Sequence, residues 1–441
     1  MSRLLDVFNV KRNQINFSDD YNSFKDKNLL DEFRVKILED LSDKGFVNQV
    51  ITKELINSEI DDVTYGYDLT FEERSYLFNL IDGEVNGFGP ISCLFKDDNI
   101  TEIMVNSPSE IYIEVDGVLK RDDSVSFINE EHIIRTIERM LGTSGKNIDI
   151  NNPIVDAMLE DGSRINAIIP PLVKSPIITI RKFRKNIVDI DDLIGNGSLT
   201  PFMARFLEAA VKARLNIIVS GGVSGGKTTL LNILSNFIPN GERIITIEDV
   251  RELRLLQEHV VSLETRNSNN SLVTVRDLVR NSLRMRPDRV IIGEVRGAEA
   301  FDLLQAMNTG FEGALTSLHA NSAKDALGKL ETMILMNQGM EISSNAIREY
   351  INDAVDLVVH ISRMKDGKRK IVDISEVVGV KNNELVLKNI FKFKNDGASR
   401  NGTVQGEYQL QEYVPVVLEK IKDAGVDSVN DMFVFKKKKS K

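Results

Sequence analysis

The chain predicts an α/β fold, preceded by an α+β region and a helical N-terminal stretch, and three observations carry that prediction. Between about residue 200 and residue 375, apolar runs (LNIIVS, RIITIED, DRVIIGEV, GALTSLHA and LVVHISR) alternate with helical segments. Such alternation is the pattern of a mostly parallel sheet with crossover helices. A glycine cluster stands between the first of those runs and the next helix, in NIIVSGGVSGGKTTLLNIL. Upstream, short strand-like runs mix with an amphipathic helix, which reads as α+β. At 441 residues the chain exceeds one ordinary core, so two or three domains are expected.

Taken in order, residues 1–75 read as helical. In NLLDEFRVKILEDLSDK, Leu29, Leu30, Phe33, Ile37 and Leu41 recur at helical spacing. Residues 76–185 form the α+β domain. There EIMVNSPSEIYIEVDGVLKRDD gives two strands about a Ser-Pro turn and a third after Asp116-Gly117. INEEHIIRTIERML is an amphipathic helix, and RINAIIPPLVKSPIITIRKF holds two strands around a Pro-Pro loop. RKNIVDIDDLIGNGSLTP is polar and contains glycine, and places a linker at residues 186–200. Residues 201–375 are the α/β domain proper. Residues 376–441, with FKNDGASRNGTVQGEYQ, are expected to form a hairpin or loop and a short helical tail.

Composition narrows the function. Hydrophobic residues make up 42% and charged residues 28%, ordinary for a globular protein and too apolar for disorder. No stretch approaches the roughly 20 apolar residues of a membrane helix, and the start turns polar too early for a secretory signal. A cytoplasmic protein is expected, with any membrane connection made through a partner. Cys93 is the only cysteine, which excludes intramolecular disulfides and a multi-cysteine zinc site. The net charge of −10 argues against direct nucleic-acid binding. The basic end KKKKSK is either a solvated tail or a contact for acidic lipid head groups.

Within the glycine cluster, Gly221, Gly226, Lys227 and Thr228 fit G-x-x-x-x-G-K-[ST]. An accidental match has odds of about 1–2% in a chain this long, and the strand before and helix after are both present. Glycines let the loop Gly221, Gly222, Val223, Ser224, Gly225, Gly226 aim successive amides at one anion. The following helix, entered through Lys227, Thr228 and Thr229, presents its positive end to the same place. Lys227 would reach the β- and γ-phosphates of ATP, and the Thr228 hydroxyl would ligate Mg²⁺.

Hydrolysis also needs a water-orienting carboxylate and a charge that compensates the transition state. DRVIIGEV is a strand that ends at Glu294, a candidate metal-binding acid. IITIEDVRELRL is a second strand that ends at Glu248 and Asp249, with Glu252 nearby. His319 follows the strand-like GALTSL. His132, His259 and His360 read as ordinary structural histidines. Arg276, Arg280, Arg284 and Arg286 lie on one helical segment, as a solvated face or as a basic pore or subunit contact.

Together these pieces resemble the type II/IV secretion ATPase superfamily, in particular its CpaF-like pilus-assembly branch. GGVSGGKTTLLNIL looks like its Walker A segment and IEDVRELRL like its Asp box. NSLRMRPDRVIIGEVRGAEAFDLLQAMNTG resembles its Walker B region, and GALTSLHANS its His box. The resemblance covers roughly residues 80 to 435. It implies a homohexamer whose subunits join a PAS-like N-terminal domain to a RecA-like P-loop NTPase motor domain, with ATP at the subunit boundary. It further implies that Glu248, with Asp249, activates water, that Glu294 holds the metal shell, and that His319 senses the γ-phosphate. Arg164 in DGSRINA and Arg181 in ITIRKF match the family's phosphate-contacting arginines. Two departures stand out. Phe311, in TGFEG, replaces an earlier family histidine, and the four-cysteine zinc motif of type II secretion motors is lacking.

The resemblance thus implies an ATPase that acts on an inner-membrane platform protein, from the cytoplasmic face, to assemble pilins or secrete protein. A related motor for DNA transfer or uptake, a nucleotide-gated scaffold with little turnover, and a P-loop kinase are the rival readings.

Overall fold

The computed structural model describes residues 27–44, 51–115, 117–142, 144–183, 189–268, 271–336, 342–399 and 404–433. The basic tail KKKKSK lies outside them. The chain divides into two compact units, Met1–Asn186 and Ile187–Lys441.

The first unit opens with three helices, α1 (Lys27–Asp43), α2 (Lys53–Val63) and α3 (Phe71–Asn86). Thr70 and Glu73 close a reciprocal capping box at the start of α3. Leu30, Phe33 and Ile37 of α1 pack with Ile56 and Ile60 of α2 and with Leu77 and Ile81 of α3. The boundary expected at residues 75/76 falls inside α3, because the apolar stripe that faces α1 runs on past Tyr76. After a short helix α4 (Ser92–Lys96) comes a sheet of β1 (Ile100–Ser107), β2 (Glu110–Val115), β3 (Val118–Asp122), β4 (Ile154–Met158), β5 (Arg164–Ile168) and β6 (Ile177–Arg181). Its order is β3-β2-β1-β6-β5-β4, antiparallel throughout. Helix α5 (Glu130–Leu141) buries Ile133, Ile137 and Met140 with Ile103, Ile113, Ile165 and Ile180 of the sheet. Alternate strand residues thus form one core face.

The second unit begins with α6 (Ile190–Gly195), a helix within the expected linker, started by an Asp189–Asp192 capping box. Leu193 and Leu199 of that segment are buried in the core of the second unit, so most of the linker belongs to this unit. Then follow α7 (Pro201–Lys212), β7 (Ile217–Gly221), α8 (Lys227–Ser235), β8 (Ile244–Glu248) and β9 (Val260–Glu264). After a small hairpin of β10 (Arg266–Ser268) and β11 (Ser271–Val273) come α9 (Val275–Ser282), β12 (Arg289–Val295), α10 (Glu299–Asn308), β13 (Leu315–His319), α11 (Ala323–Leu335) and α12 (Ser344–Ala354). β14 (Leu357–Arg363), β15 (Arg369–Lys381), β16 (Glu384–Ala398), β17 (Val404–Leu410) and α13 (Val417–Asp423) complete it.

Nine of those strands form one sheet, ordered β17-β16-β15-β14-β7-β13-β12-β8-β9. From β14 to β9 every neighbouring pair is parallel. From β14 to β17 the pairing is antiparallel. Phe206, Leu207, Leu230 and Leu234 of α7 and α8 cover one face. Val279, Leu303, Leu327 and Ile351 of α9 to α12 cover the other. Covering both faces explains why β7 and β8 are buried at every residue. The boundary expected at 375/376 falls inside β15, which continues the sheet. The parallel arrangement also brings the carboxyl ends of β7, β13, β12 and β8 to one edge, where ligands bind in open α/β sheets. Among the described residues no helix is long and apolar enough to cross a membrane.

Candidate active site

β7 delivers the glycine loop. At its last residue, Gly221, a Cβ would stand 2.5 Å from the Ile361 carbonyl oxygen of β14, so only glycine fits. Beyond it the loop turns through Ser224, at φ 52°, and Gly226, at φ 94°, both left-handed. A Cβ on Gly226 would also meet Arg369 Cδ at 2.9 Å. Gly226 caps α8 without a side-chain acceptor. The first amides of the helix therefore face outward as donors for an anion. Val223 is exposed at the loop tip, Gly225 is buried, and Thr228 is half-buried while Thr229 is exposed. The Lys227 ammonium donates to the Gly222 carbonyl at 3.3 Å and lies 3.6 Å from Glu294 Oε1.

Glu294 stands at the end of β12, where pairing with β13 loses register between Ile292 and Val295. Arg296, two residues on, donates to Glu294 Oε2 from Nε at 2.9 Å and from Nη2 at 2.5 Å. Its third nitrogen, Nη1, reaches Asp249 Oδ2 at 3.1 Å. Burial pushes the Glu294 carboxyl up, but the Arg296 and Lys227 cations outweigh it and hold the group below its ordinary value. Glu299 supports the turn by accepting the amides of Arg296 and Gly297 at 2.6 and 2.8 Å.

Glu248, at the end of neighbouring β8, is placed differently. It is 4% exposed. Its Oε1 accepts the amides of Glu252 and Leu253, both at 2.9 Å. Its Oε2 is buried and has no hydrogen-bond partner among the described residues. Burial is the largest influence and raises its pKa to about 7, against the two amide donors.

His319 ends β13 in register with Gly221 and is half-buried. One edge thus gathers Lys227, Thr228, Glu248, Asp249, Glu294 and His319. Arg164 and Arg181 belong to the first unit, where they are register partners on β5 and β6. Both are exposed, and Arg164 Nη2 lies 3.7 Å from Asp156 Oδ1. Arg276 and Arg280 both bond to the buried Asp302 on α10, at 2.6 and 2.8 Å, while Arg280, Arg284 and Arg286 are exposed.

Sequence reasoning assigned no role to Arg296 or Arg369. The first stands in the quoted EVRG, and its i, i+2 spacing from Glu294 on a strand end was the available signal. Arg369 Nε donates to the Ser224 carbonyl at 3.2 Å. It comes from a strand nearly 150 residues downstream, and nothing local marks it.

The residues present fit ATP and Mg²⁺. The glycine loop has no room for side chains at Gly221 and Gly226, α8 opens without a cap, and Glu294 is held ionised beside Lys227 and Thr228. No three His, Cys, Asp or Glu side chains converge as a metal site among the described residues.

The model of a family described as "Type II/IV secretion system protein" matches residues 84–431. The conjugal transfer protein TrbB of Rhizobium radiobacter is 31% identical over 318 residues, 70% of this chain and 94% of that protein. The type IV secretion system protein VirB11 of Bartonella henselae is 31% identical over 324 residues, 65% of this chain and 90% of that one. Among solved structures, the VirB11 ATPase from the Brucella suis type IV secretion system, in complex with sulphate, is 30% identical. That match covers 65% of this chain and 95% of that chain, at a TM-score of 0.37. With a match across most of its length, the chain belongs to the type II/IV secretion system protein family.

Proposed function

We propose that the chain is an ATPase, with a helical N-terminal region and a PAS-like domain in the first unit and a RecA-like P-loop motor in the second, whose sheet runs on through β15, β16 and β17. It works as a homohexamer on the cytoplasmic side, through an inner-membrane platform protein, to drive type IV pilus assembly or secretion. The observation that carries the ATPase reading is the presence of two unlike carboxylates on adjacent strand ends, one of them beside Lys227. Glu294 is ionised between cations, whereas Glu248 keeps one buried oxygen without a partner among the described residues and has a pKa near neutrality.

In this reading Lys227 and the amides at the start of α8 bind the phosphates of ATP. Thr228 and Glu294 would hold Mg²⁺, which when bound neutralises charge on the phosphate oxygens. Glu248 Oε2 accepts a proton from the attacking water as that oxygen bonds to the γ-phosphorus and the bond to ADP breaks. Asp249 fixes Arg296, and His319 reports on the γ-phosphate from the adjoining strand. Arg164 and Arg181 supply positive charge to the phosphates. A scaffold without turnover would have no use for the desolvated Glu248.

The likeness to TrbB, a conjugal transfer protein, favours a second reading in which the same motor serves conjugal transfer. DNA-stimulated hydrolysis at moderate salt would select it.

The test is phosphate release from ATP across a range of protein concentrations for wild type, Lys227→Ala and Arg181→Ala. Wild-type specific activity should rise with concentration. Each variant should stay folded and lose roughly a thousandfold or more in turnover. Tight ATP binding with no phosphate release at any concentration, with or without membranes, overturns the reading.

A further inference from the structure

Arg369 opens β15 and has no part in the chemistry above, yet its side chain lies against the phosphate loop. Its Nε donates to the Ser224 carbonyl at 3.2 Å. A Cβ on Gly226 would stand 2.9 Å from its Cδ and 3.6 Å from its Nε. Ser224 and Gly226 are the two left-handed residues of that loop. A serine adopts this conformation at a cost, so its surroundings must hold it there. A cationic donor on its own carbonyl is a strong hold of that kind.

The backbone of the same residue serves a different part of the chain. Its carbonyl accepts the Ser198 hydroxyl at 2.7 Å. The Ile371 amide donates to the Ser198 carbonyl, and Lys370 Nζ to the Gly197 carbonyl, both at 2.8 Å. The Tyr408 hydroxyl of β17 is shared between those two carbonyls, at 2.5 Å from Ser198 and 3.1 Å from Gly197. Three consecutive residues of β15 thus grip Gly197 and Ser198, which lie in the stretch that follows the first unit along the chain. Ser198 is 4% exposed, and Gly197 is left-handed, at φ 66°. A stretch that only spanned two units would need none of these bonds, since water would satisfy its carbonyls. A second route runs beside the first. Ile371 pairs with Ile361 of β14, whose carbonyl crowds Gly221 at the root of the loop.

We infer that Arg369 is a positioning residue that couples Gly197 and Ser198 to the phosphate loop: its side chain fixes the turn at Ser224 and Gly226, and its backbone fixes the segment. A nucleotide that tightens the loop therefore tightens the segment, and by linkage the segment sets part of the nucleotide affinity. This rests on the nucleotide-site part of the ATPase reading above, and it stands whether or not ATP turns over.

The test uses the full chain and two readouts: equilibrium binding of mant-ADP, and amide hydrogen exchange in residues 189–200 with and without ADP and Mg²⁺. Wild type is compared with Arg369→Ala, Tyr408→Phe and the Arg369→Ala/Tyr408→Phe double variant. In wild type, ADP should slow exchange around Ser198 about fivefold or more. Arg369→Ala should lose that slowing and bind mant-ADP on the order of tenfold more weakly. Tyr408→Phe removes only the hydroxyl on the Gly197 and Ser198 carbonyls, and should still weaken binding about threefold to tenfold. The double variant should bind no more weakly than Arg369→Ala, because both changes break one connection. An arginine that merely lends charge to the phosphates would lower affinity when removed but leave the ADP-dependent slowing intact, and that result overturns the inference. So does Arg369→Ala affinity equal to wild type, exchange in wild type that ADP leaves unchanged, or losses that multiply in the double variant. If Arg369→Ala does not fold, Arg369→Met takes its place. Methionine keeps a stem against Gly226 without the donor to Ser224, and behaviour equal to wild type overturns the inference. A wild type that does not bind mant-ADP overturns the nucleotide site, and this inference with it. A wild type that binds mant-ADP and is matched by Arg369→Ala in both readouts overturns this inference alone.

Discussion

Glu248 and Glu294 end adjacent parallel strands, and the chain treats them in opposite ways. β8 and β12 run in register from Ile244 with Arg289 to Ile247 with Ile292, which sets Glu248 against Gly293 and Glu294 one residue further along. Glu294 meets Arg296 and Lys227 and stays ionised. Glu248 is buried, with two amides holding one oxygen and no partner for the other among the described residues. Two residues of one type, one register position apart on adjacent strands, are thereby fitted to different tasks. One suits holding a cation and the other suits taking a proton. Environment divides the work, as it does wherever neighbouring titratable groups are pushed apart.

The sharpest way to break this contrast is Glu248→Gln. If Glu248 is the base, kcat should fall roughly a hundredfold to ten-thousandfold, with nucleotide binding retained. The same substitution tests pH behaviour. Glu248 works only when deprotonated, so wild-type kcat should rise with pH through about 7 and level off above it. Stability moves the other way. A carboxyl whose pKa is raised on folding favours the folded state below its unfolded pKa, and that contribution is lost as pH rises through about 7. Glu248→Gln should remove both trends. A wild-type rate that is flat between pH 6 and 8 in a fixed-salt assay (about one unit either side of that value) would sink the base assignment.

Next in size is Glu294→Gln. The amide keeps the shape but loses the charge that Lys227 and Arg296 hold in place. Turnover should fall about tenfold to a hundredfold, and the Mg²⁺ concentration for half-maximal rate should rise. The acid limb near pH 7 should survive, because it belongs to the other strand. A variant that lost the acid limb and kept its Mg²⁺ response would reverse the two roles.

How much of this was legible in the sequence follows from what each feature depends on. The five apolar runs became β7, β8, β12, β13 and β14 because strands covered on both faces must be apolar at nearly every residue. The glycine loop was legible because its conformation is local. The antiparallel strands β16 and β17 read only as a hairpin or loop, since one-sided burial leaves alternate residues polar, as in FKNDGASRNGTVQGEYQ. Helix α6 hid inside a stretch that looked like linker, although Asp189 and Asp192 spell its capping box. The contrast between Glu248 and Glu294 was not legible at all. Both sit after an apolar strand, and what separates them is the arrival of Arg296 at one and the Glu252 and Leu253 amides at the other. His360 was read as structural, and the Ser220 hydroxyl meets it only in the folded sheet.

The smallest expected effect tests how closely the two strand ends are fitted. Gly293 precedes Glu294 on β12, and its carbonyl accepts the Ser317 hydroxyl at 2.6 Å. A Cβ placed there would stand 3.0 Å from Glu248 Cγ and 3.5 Å from Glu248 Oε1. Glu248 has little room to retreat, since its Oε1 is held by two backbone amides on its other side. Gly293→Ala should therefore press on the base without touching the residue that carries the negative charge. Overpacking of this kind costs about 1 kcal/mol or somewhat more in stability, which a denaturant midpoint would register. Turnover should drop only a few-fold, roughly what a displacement of a few tenths of an ångström at a base costs, and the half-maximal Mg²⁺ concentration should not move. The informative result is the pairing of the two. A loss of turnover with an unchanged Mg²⁺ response places the disturbance on the Glu248 side of the strand pair. A shifted Mg²⁺ response would mean that the two carboxylates answer to one another, and that the slot around Glu248 is not a separate compartment.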